Sequence, residues 1–127
     1  MHFFTIHWNK MYICKMYSKE LTKGTLLPII LKLISENDKM YGYEITQRVK
    51  ELTQGKIDIS EGALYPILHK LEADGILETE KVFFGKRVRK YYQITASGKL
   101  AIVEMTAELN DFINTLNLIF NAKTTTS

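Results

Sequence analysis

Apolar positions recur with different periods along the chain, and each change of period marks an element. The run LLPIILKLISEN (26–37) is apolar nearly all round, with Leu26, Ile30 and Leu33 on one stripe and Leu27, Leu31 and Ile34 beside it. Pro28 has no backbone donor and belongs in a first turn, which predicts a helix starting near Thr25 and broken by Asn37-Asp38-Lys39. A helix so uniformly apolar is expected at the centre of a core. In YGYEITQRVKEL (41–52), Ile45, Val49 and Leu52 recur at i, i+4, i+7 while Glu44, Gln47, Arg48, Lys50 and Glu51 face out, the pattern of a short amphipathic helix ended by Gly55. KIDI (56–59) reads as a brief extended link. A third helix follows Ser60, a fair N-cap, with Glu61 at its positive end, a buried stripe of Leu64, Leu68 and Leu71 flanked by Ile67, and Gly75 as C-cap. Pro66 lies too deep for a first turn and predicts a local distortion.

From Ile76 the period becomes two. ILETEKVFF (76–84) and RVRKYYQIT (87–95) are strand-like and joined by Gly85-Lys86, a two-residue hairpin signal. Thr95-Ala96-Ser97-Gly98 opens a last helix whose apolar positions Ile102, Met105, Leu109, Phe112, Leu116 and Ile119 are spaced 3, 4, 3, 4, 3, the rhythm of a coiled-coil seam. The order helix, short helix, turn, helix, hairpin is that of a winged helix-turn-helix. The expected fold class is therefore mainly α with a β-hairpin wing (α+β), followed by a C-terminal dimerisation helix. Within its own chain the last helix would pack on a domain whose core the helix at 26–37 already supplies. Paired with a twin, the seam buries six side chains, a gross gain on the order of 10 kcal/mol per chain, and homodimerisation is the reading adopted.

Composition narrows the class. The 127 residues are 46% hydrophobic and 24% charged, ordinary for a globular chain and unlike a disordered one. This is room for one domain plus an attached element. No run approaches the length of a membrane span. Cys14 is the only cysteine, so no internal disulfide forms and the chain suits a reducing compartment, with a cytoplasmic location expected. The first stretch, MHFFTIHWNKMYICK (1–15), has no clean period and holds the only Trp, the only Cys and two of the three His. It reads as a start-site artefact or frayed tail, the pattern beginning at Met16; the alternative is an arm that packs on a partner subunit. The resulting organisation is leader 1–15, winged domain 16–96, dimerisation helix 97–120 and loose polar tail 121–127.

Charge placement says more than net charge, which is only +3. Residues 81–99 carry Lys81, Lys86, Arg87, Arg89, Lys90 and Lys99 with no acid, whereas 61–80 carry five acids and only Lys70. A ribbon tipped with Lys86 and Arg87 has the right shape to lie against phosphates and reach a minor groove, each neutralised phosphate adding about 0.9 to the salt slope. Helix 61–74 is the candidate recognition helix. With its leucines inward, Glu61, Gly62, Tyr65, His69 and Lys70 lie outward or at the margin, beside the capping Ser60. Small residues at its start allow close approach to DNA, Tyr65 can donate to a phosphate, and acidity beyond Glu72 suits entry of the N-terminal half only. A basic ribbon could instead meet an acidic protein, making the chain a winged-helix protein–protein adaptor. Catalysis finds little support: Gly42, Gly55 and Gly62 are scattered, His2, His7, His69 and Cys14 lack metal-ligand spacing, and Glu72/Asp74 and Glu78/Glu80 read as solvated flanks. No enzyme activity, metal or cofactor is expected.

The blocks KELTKGTLLPIILKLI, MYGYEI, EGALYPILHKLEADGIL and GKRVRKYYQIT-x-x-G, in that order and spacing, resemble the PadR family of bacterial transcriptional regulators over about residues 16–120. The single last helix resembles the short subfamily. The resemblance implies a homodimeric winged-helix repressor whose C-terminal helix crosses to the other subunit, acting on a pseudo-palindromic double-stranded DNA operator. It makes Tyr65 and the Lys86–Lys90 wing DNA contacts, and Tyr41, Gly42 and Tyr43 structural. Some members release DNA on binding a small aromatic or hydrophobic effector. Drug-binding members of the short subfamily stack such ligands on a Trp of the last helix, where this chain offers Met105, Phe112 and Phe120.

Overall fold

The structure, a computed structural model, describes residues 16–121. The leader 1–15 and the tail from residue 122 onward, both singled out above, lie outside the described residues. A one-turn helix α1 (Lys19–Thr22) leads through a 3-10 turn (Lys23–Thr25) into α2 (Leu26–Ser35). Strand β1 (Met40–Tyr41) runs directly into α3 (Gly42–Leu52), and α4 (Glu61–Ala73) follows. The hairpin is β2 (Leu77–Phe84) and β3 (Arg87–Ile94), and α5 (Ala96–Phe120) closes the described chain. Among the described residues, no helix is long and apolar enough to cross a membrane.

The helix ends lie where the capping chemistry puts them. Thr25 precedes α2, so Pro28 falls in the first turn, where its missing N–H costs nothing. Ser60 Oγ accepts from Ala63 N–H at 3.2 Å and caps α4. At the other end Gly75, at φ +74°, gives its N–H to the Glu72 carbonyl (3.0 Å) while Ile76 N–H reaches the Leu71 carbonyl (2.9 Å), a Schellman closure. Pro66 sits inside α4 without ending it. Ser18 caps α1 through Leu21 N–H (3.2 Å), a helix too short and polar to show any periodicity.

Ile30, Leu31 and Ile34 of α2, Ile45 and Val49 of α3 and the α4 leucines form one buried cluster with Met40, Leu77 and Tyr92. Leu52, read as part of the α3 stripe, is instead exposed at the last residue of that helix, one turn beyond buried Val49. The sheet order is β1-β3-β2, all antiparallel. Met40 and Tyr41 pair with Tyr92 and Tyr91, a third strand that two residues are too few to reveal by alternation. Gly85, at φ +61°, is the first of the two turn residues between Phe84 and Arg87.

Helix α5 is divided in its surroundings. Ile102 and Met105 pack against the core of their own chain, Leu109 is half-buried, and Phe112, Leu116 and Ile119 are exposed. Ile102, Met105 and Leu109 thus keep only part of their surface free, whereas the last three positions of the seam stand open. Its first turns close over α2, whose all-round apolar surface needs cover on more than one side.

The start of α5 is locked to the end of α4. Thr95 Oγ1 accepts from Gly98 N–H (3.0 Å) and donates to the Gly75 carbonyl (2.7 Å). A Cβ on buried Gly98 would overlap the Ile76 carbonyl oxygen and press on Ile94. Gly98→Ala should therefore cost about 1–3 kcal/mol in urea unfolding. Gly24→Ala, where a Cβ would meet nothing within 4 Å, should leave stability unchanged or slightly raised.

Candidate nucleic-acid interface

A cavity of about 590 Å³ lies between α4 and the wing. Its helix side is Tyr65 and His69, its floor Tyr41, Gly42 and Tyr92, and its strand side Phe84, Arg87, Val88, Arg89 and Lys90. Three of these residues are basic and none is acidic. The charge excess read along residues 81–99 thus becomes a cationic recess facing the helix that the periodicity singled out.

On α4, Glu61, Gly62, His69 and Lys70 are exposed as expected, and Tyr65 is half-buried. Nothing closer than 3.9 Å would meet a Cβ on Gly62, so its lack of a side chain is not required by the fold. Tyr65 lies across Gly42, at the first residue of α3, where any Cβ would overlap the phenol oxygen. Gly42 is structural in this sense: it is the seat of Tyr65. The His69 ring is tilted beside that of Tyr65, with centroids 6.2 Å apart. Lys70 pairs with Asp74 one turn on, at 3.1 Å.

The four basic residues expected to act together on the wing separate into two pairs. Lys86 and Arg87 stand exposed at the tip. Arg89 and Lys90 are half-buried and already engaged. The Arg89 guanidinium sits 4.0 Å from the centre of the Tyr41 ring and 5.0 Å from that of Phe84, and its Nη1 donates to Tyr91 Oη at 3.5 Å. Lys90 Nζ donates to Glu72 Oε1 at 3.2 Å, while Thr79 Oγ1 donates to Glu72 Oε2 at 3.1 Å. One carboxylate on α4 thereby holds both strands of the wing. Alternation in β3 explains the split: Arg87, Arg89 and Tyr91 share the face of β1's Tyr41, while Val88, Lys90 and Tyr92 share the face turned to the helices.

The acids that read as solvated flanks have partners. Besides Glu72, Asp74 pairs with Lys70, Glu78 accepts from Gln93 (3.0 Å) and Glu80 pairs with Lys39 (2.9 Å). All four are satisfied away from the wing tip. Tyr41, Phe84 and Val88 were not legible as cavity residues from the chain alone. Two exposed aromatics side by side at a hairpin tip, Phe83 and Phe84, were the available signal.

Hydrogen bonds from Lys90 and Thr79 hold the Glu72 carboxyl below its ordinary pKa of 4.5. A depressed carboxylate contributes stability above the unfolded value and loses it as pH falls through the folded one. Glu72→Gln should therefore be less stable than the parent at neutral pH, by under about 1 kcal/mol because the pair is partly solvated. The gap should close as pH is lowered past 4.5, as followed by thermal unfolding across pH.

Comparison with known proteins bears on this arrangement. Residues 30–104 match the PadR-like family of transcriptional regulators. The transcriptional regulator Rv3488 of Mycobacterium tuberculosis is 35% identical over 86 residues, 68% of this chain and 77% of its own length. A transcriptional regulator from Clostridium thermocellum superposes with a TM-score of 0.74 at 27% identity, spanning 80% of this chain and 98% of that one. Bacillus subtilis PadR, solved in complex with operator DNA, superposes with a TM-score of 0.59 at 29% identity over 65% of this chain and 46% of its own. A winged helix followed by a last helix is what the motifs implied, and the matched family consists of regulators rather than enzymes. The chain belongs to the PadR-like family of transcriptional regulators.

Proposed function

We propose that this protein is a sequence-specific DNA-binding repressor acting as a homodimer on a pseudo-palindromic operator. The observation that carries the reading is the acid-free cationic recess between α4 and the wing, bounded by Arg87, Arg89 and Lys90 on one side and by Tyr65 and His69 on the other. Its two walls are a helix and a ribbon, the shapes that a major groove and the neighbouring phosphates receive. The operator complex of Bacillus subtilis PadR supports the same partner by similarity.

In this reading the first turns of α4 enter the major groove. Ser60, Glu61 and Gly62 lead, since no bulky side chain keeps the backbone away, and a carboxylate at Glu61 suits a cytosine amino group. Tyr65, His69 and Lys70 follow along the exposed edge. Lys86 and Arg87 take phosphates at the wing tip, with no ion-pair partner among the described residues that would have to be displaced. Arg89 and Lys90 contribute field from the recess while keeping their aromatic and carboxylate partners.

Dimerisation rests on the far half of α5, where Phe112, Leu116 and Ile119 are exposed at i, i+4, i+7. Covering those three is worth roughly 5–9 kcal/mol per chain, less than six residues would give, because Ile102 and Met105 are already used within the chain. Twin subunits would set their α4 helices into successive major grooves about 34 Å apart.

Two outcomes follow. With genomic DNA selected by the parent protein, Lys86→Ala/Arg87→Ala should lower the magnitude of the log–log salt slope by roughly 1.8; an unchanged slope removes the tip from the interface. Phe112→Glu/Leu116→Glu should sediment as a monomer that keeps its winged domain folded and binds DNA weakly; a variant that stays dimeric would put the interface elsewhere.

A further inference from the structure

The wing carries an apolar tip that its charges do not account for. Phe83 is 68% exposed and Val88, its cross-strand partner, 52%. Both lie on the face of the ribbon that further back buries Leu77 and Tyr92 in the core. Phe83 stands six residues beyond Leu77, roughly 20 Å along the strand. The core face of the ribbon is thus prolonged past the packed core, with Val88 at the recess opposite α4 and Phe83 more exposed still. Phe84, on the opposite face, differs: it lies under the Arg89 guanidinium. Lys81 stands on the same face two residues back, Lys86 and Arg87 lie at the adjoining turn, and the nearest acid in sequence, Glu80, is held by Lys39.

An apolar pair whose charged sequence neighbours are cations selects its occupant. An acidic protein would satisfy those cations but leave the pair against a hydrated surface, and a second copy of the same tip would bring the cations together. Duplex DNA satisfies both. Its minor groove is about 6 Å wide, with phosphates along the rims and apolar deoxyribose walls inside. It admits side chains but not a ribbon, so what reaches the floor is what projects from the tip. Apolar side chains placed there wedge between base steps and bend the duplex, most readily at flexible pyrimidine–purine steps.

We infer that Phe83, backed by Val88, is an apolar wedge that enters the minor groove of duplex DNA and bends it. The wing would then add to specificity without reading base edges, by favouring sites that carry a flexible step where the tip lands. This rests on the DNA-binding reading above and deepens it. Contacts made by Phe83 and Val88 release no counterions, so their share of affinity is independent of salt.

The full chain tests it, with a duplex that the parent selects from a random-sequence pool. Affinity is measured over a salt series, and bending by energy transfer between labelled duplex ends. Phe83→Ser/Val88→Thr alters two exposed side chains, so its unfolding curve should overlay that of the parent. It should bind about ten- to a hundredfold more weakly with the salt slope unchanged, bend the duplex less, and select pools without a flexible step at the wing position. Phe83→Leu should restore most of the bend. Parent-like affinity and bending in the double variant overturn the wedge while leaving DNA binding intact. A weaker complex whose salt slope also falls overturns it too, since the pair would then only shape the basic tip. Loss of dimerisation in the double variant would assign the pair to a subunit contact instead. A parent that enriches no duplex from the pool overturns both readings.

Discussion

A two-stranded ribbon alone is marginal in water, and the wing projects well beyond the helices, so its orientation depends on how its root is held. That root is Tyr92. The residue lies on the central strand, paired with Met40 on one side and Thr79 on the other, and its ring is buried among the core residues of α2, α3 and α4. Because β1 passes without a break into α3, the same pairing fixes the start of that helix. Gly42 follows immediately and receives Tyr65 from α4. Strand, helix and candidate recognition helix thereby meet within three consecutive residues, Met40 to Gly42.

Around that junction the electrostatics are arranged by distance from the core. Nearer the root, three cations have local partners, Lys90 on Glu72, Lys39 on Glu80 and Arg89 on the Tyr41 ring, while Lys81 opposite Lys90 is exposed. At the tip Lys86 and Arg87 stand exposed. Each exposed pair adds little stability by itself. Together they engage Glu72 and Glu80, so the unpaired charges left on the wing are cations, a concentration that the net charge of +3 does not disclose. This gradient is what makes the recess a suitable place for a polyanion, and it arises from pairing geometry rather than composition.

Helix α5 shows a comparable division along its length. Its first turns close the core through Ile102 and Met105, anchored by Thr95 and by the close seat of Gly98 on the Ile76 carbonyl. Beyond Leu109 it leaves the body and its apolar residues have no cover within the described chain. One uninterrupted heptad-like pattern therefore serves two environments, which a one-dimensional period cannot distinguish, since burial by a neighbour in the same chain and burial by a twin select the same side chains.

Much of the architecture is dictated locally, and local chemistry is what a sequence displays. Ser60, Thr95, Gly75 and Gly85 act through hydrogen bonds and dihedral preferences spanning a few residues, so the ends of α4 and α5 and the turn of the wing were readable in advance, as was the leucine stripe of α4. The family motifs carried the winged-helix fold and the regulator class on the same footing. Tertiary structure decided everything that joins residues far apart. Two residues at 40–41 become a strand only because β3 offers them an edge; Arg89 and Lys90 become internal ties because alternation sends one toward Tyr41 and the other toward Glu72; Phe83 is left bare because the ribbon outruns its core. Those outcomes depend on contacts between segments dozens of residues apart, and the pattern along one segment holds no information about which other segment will face it.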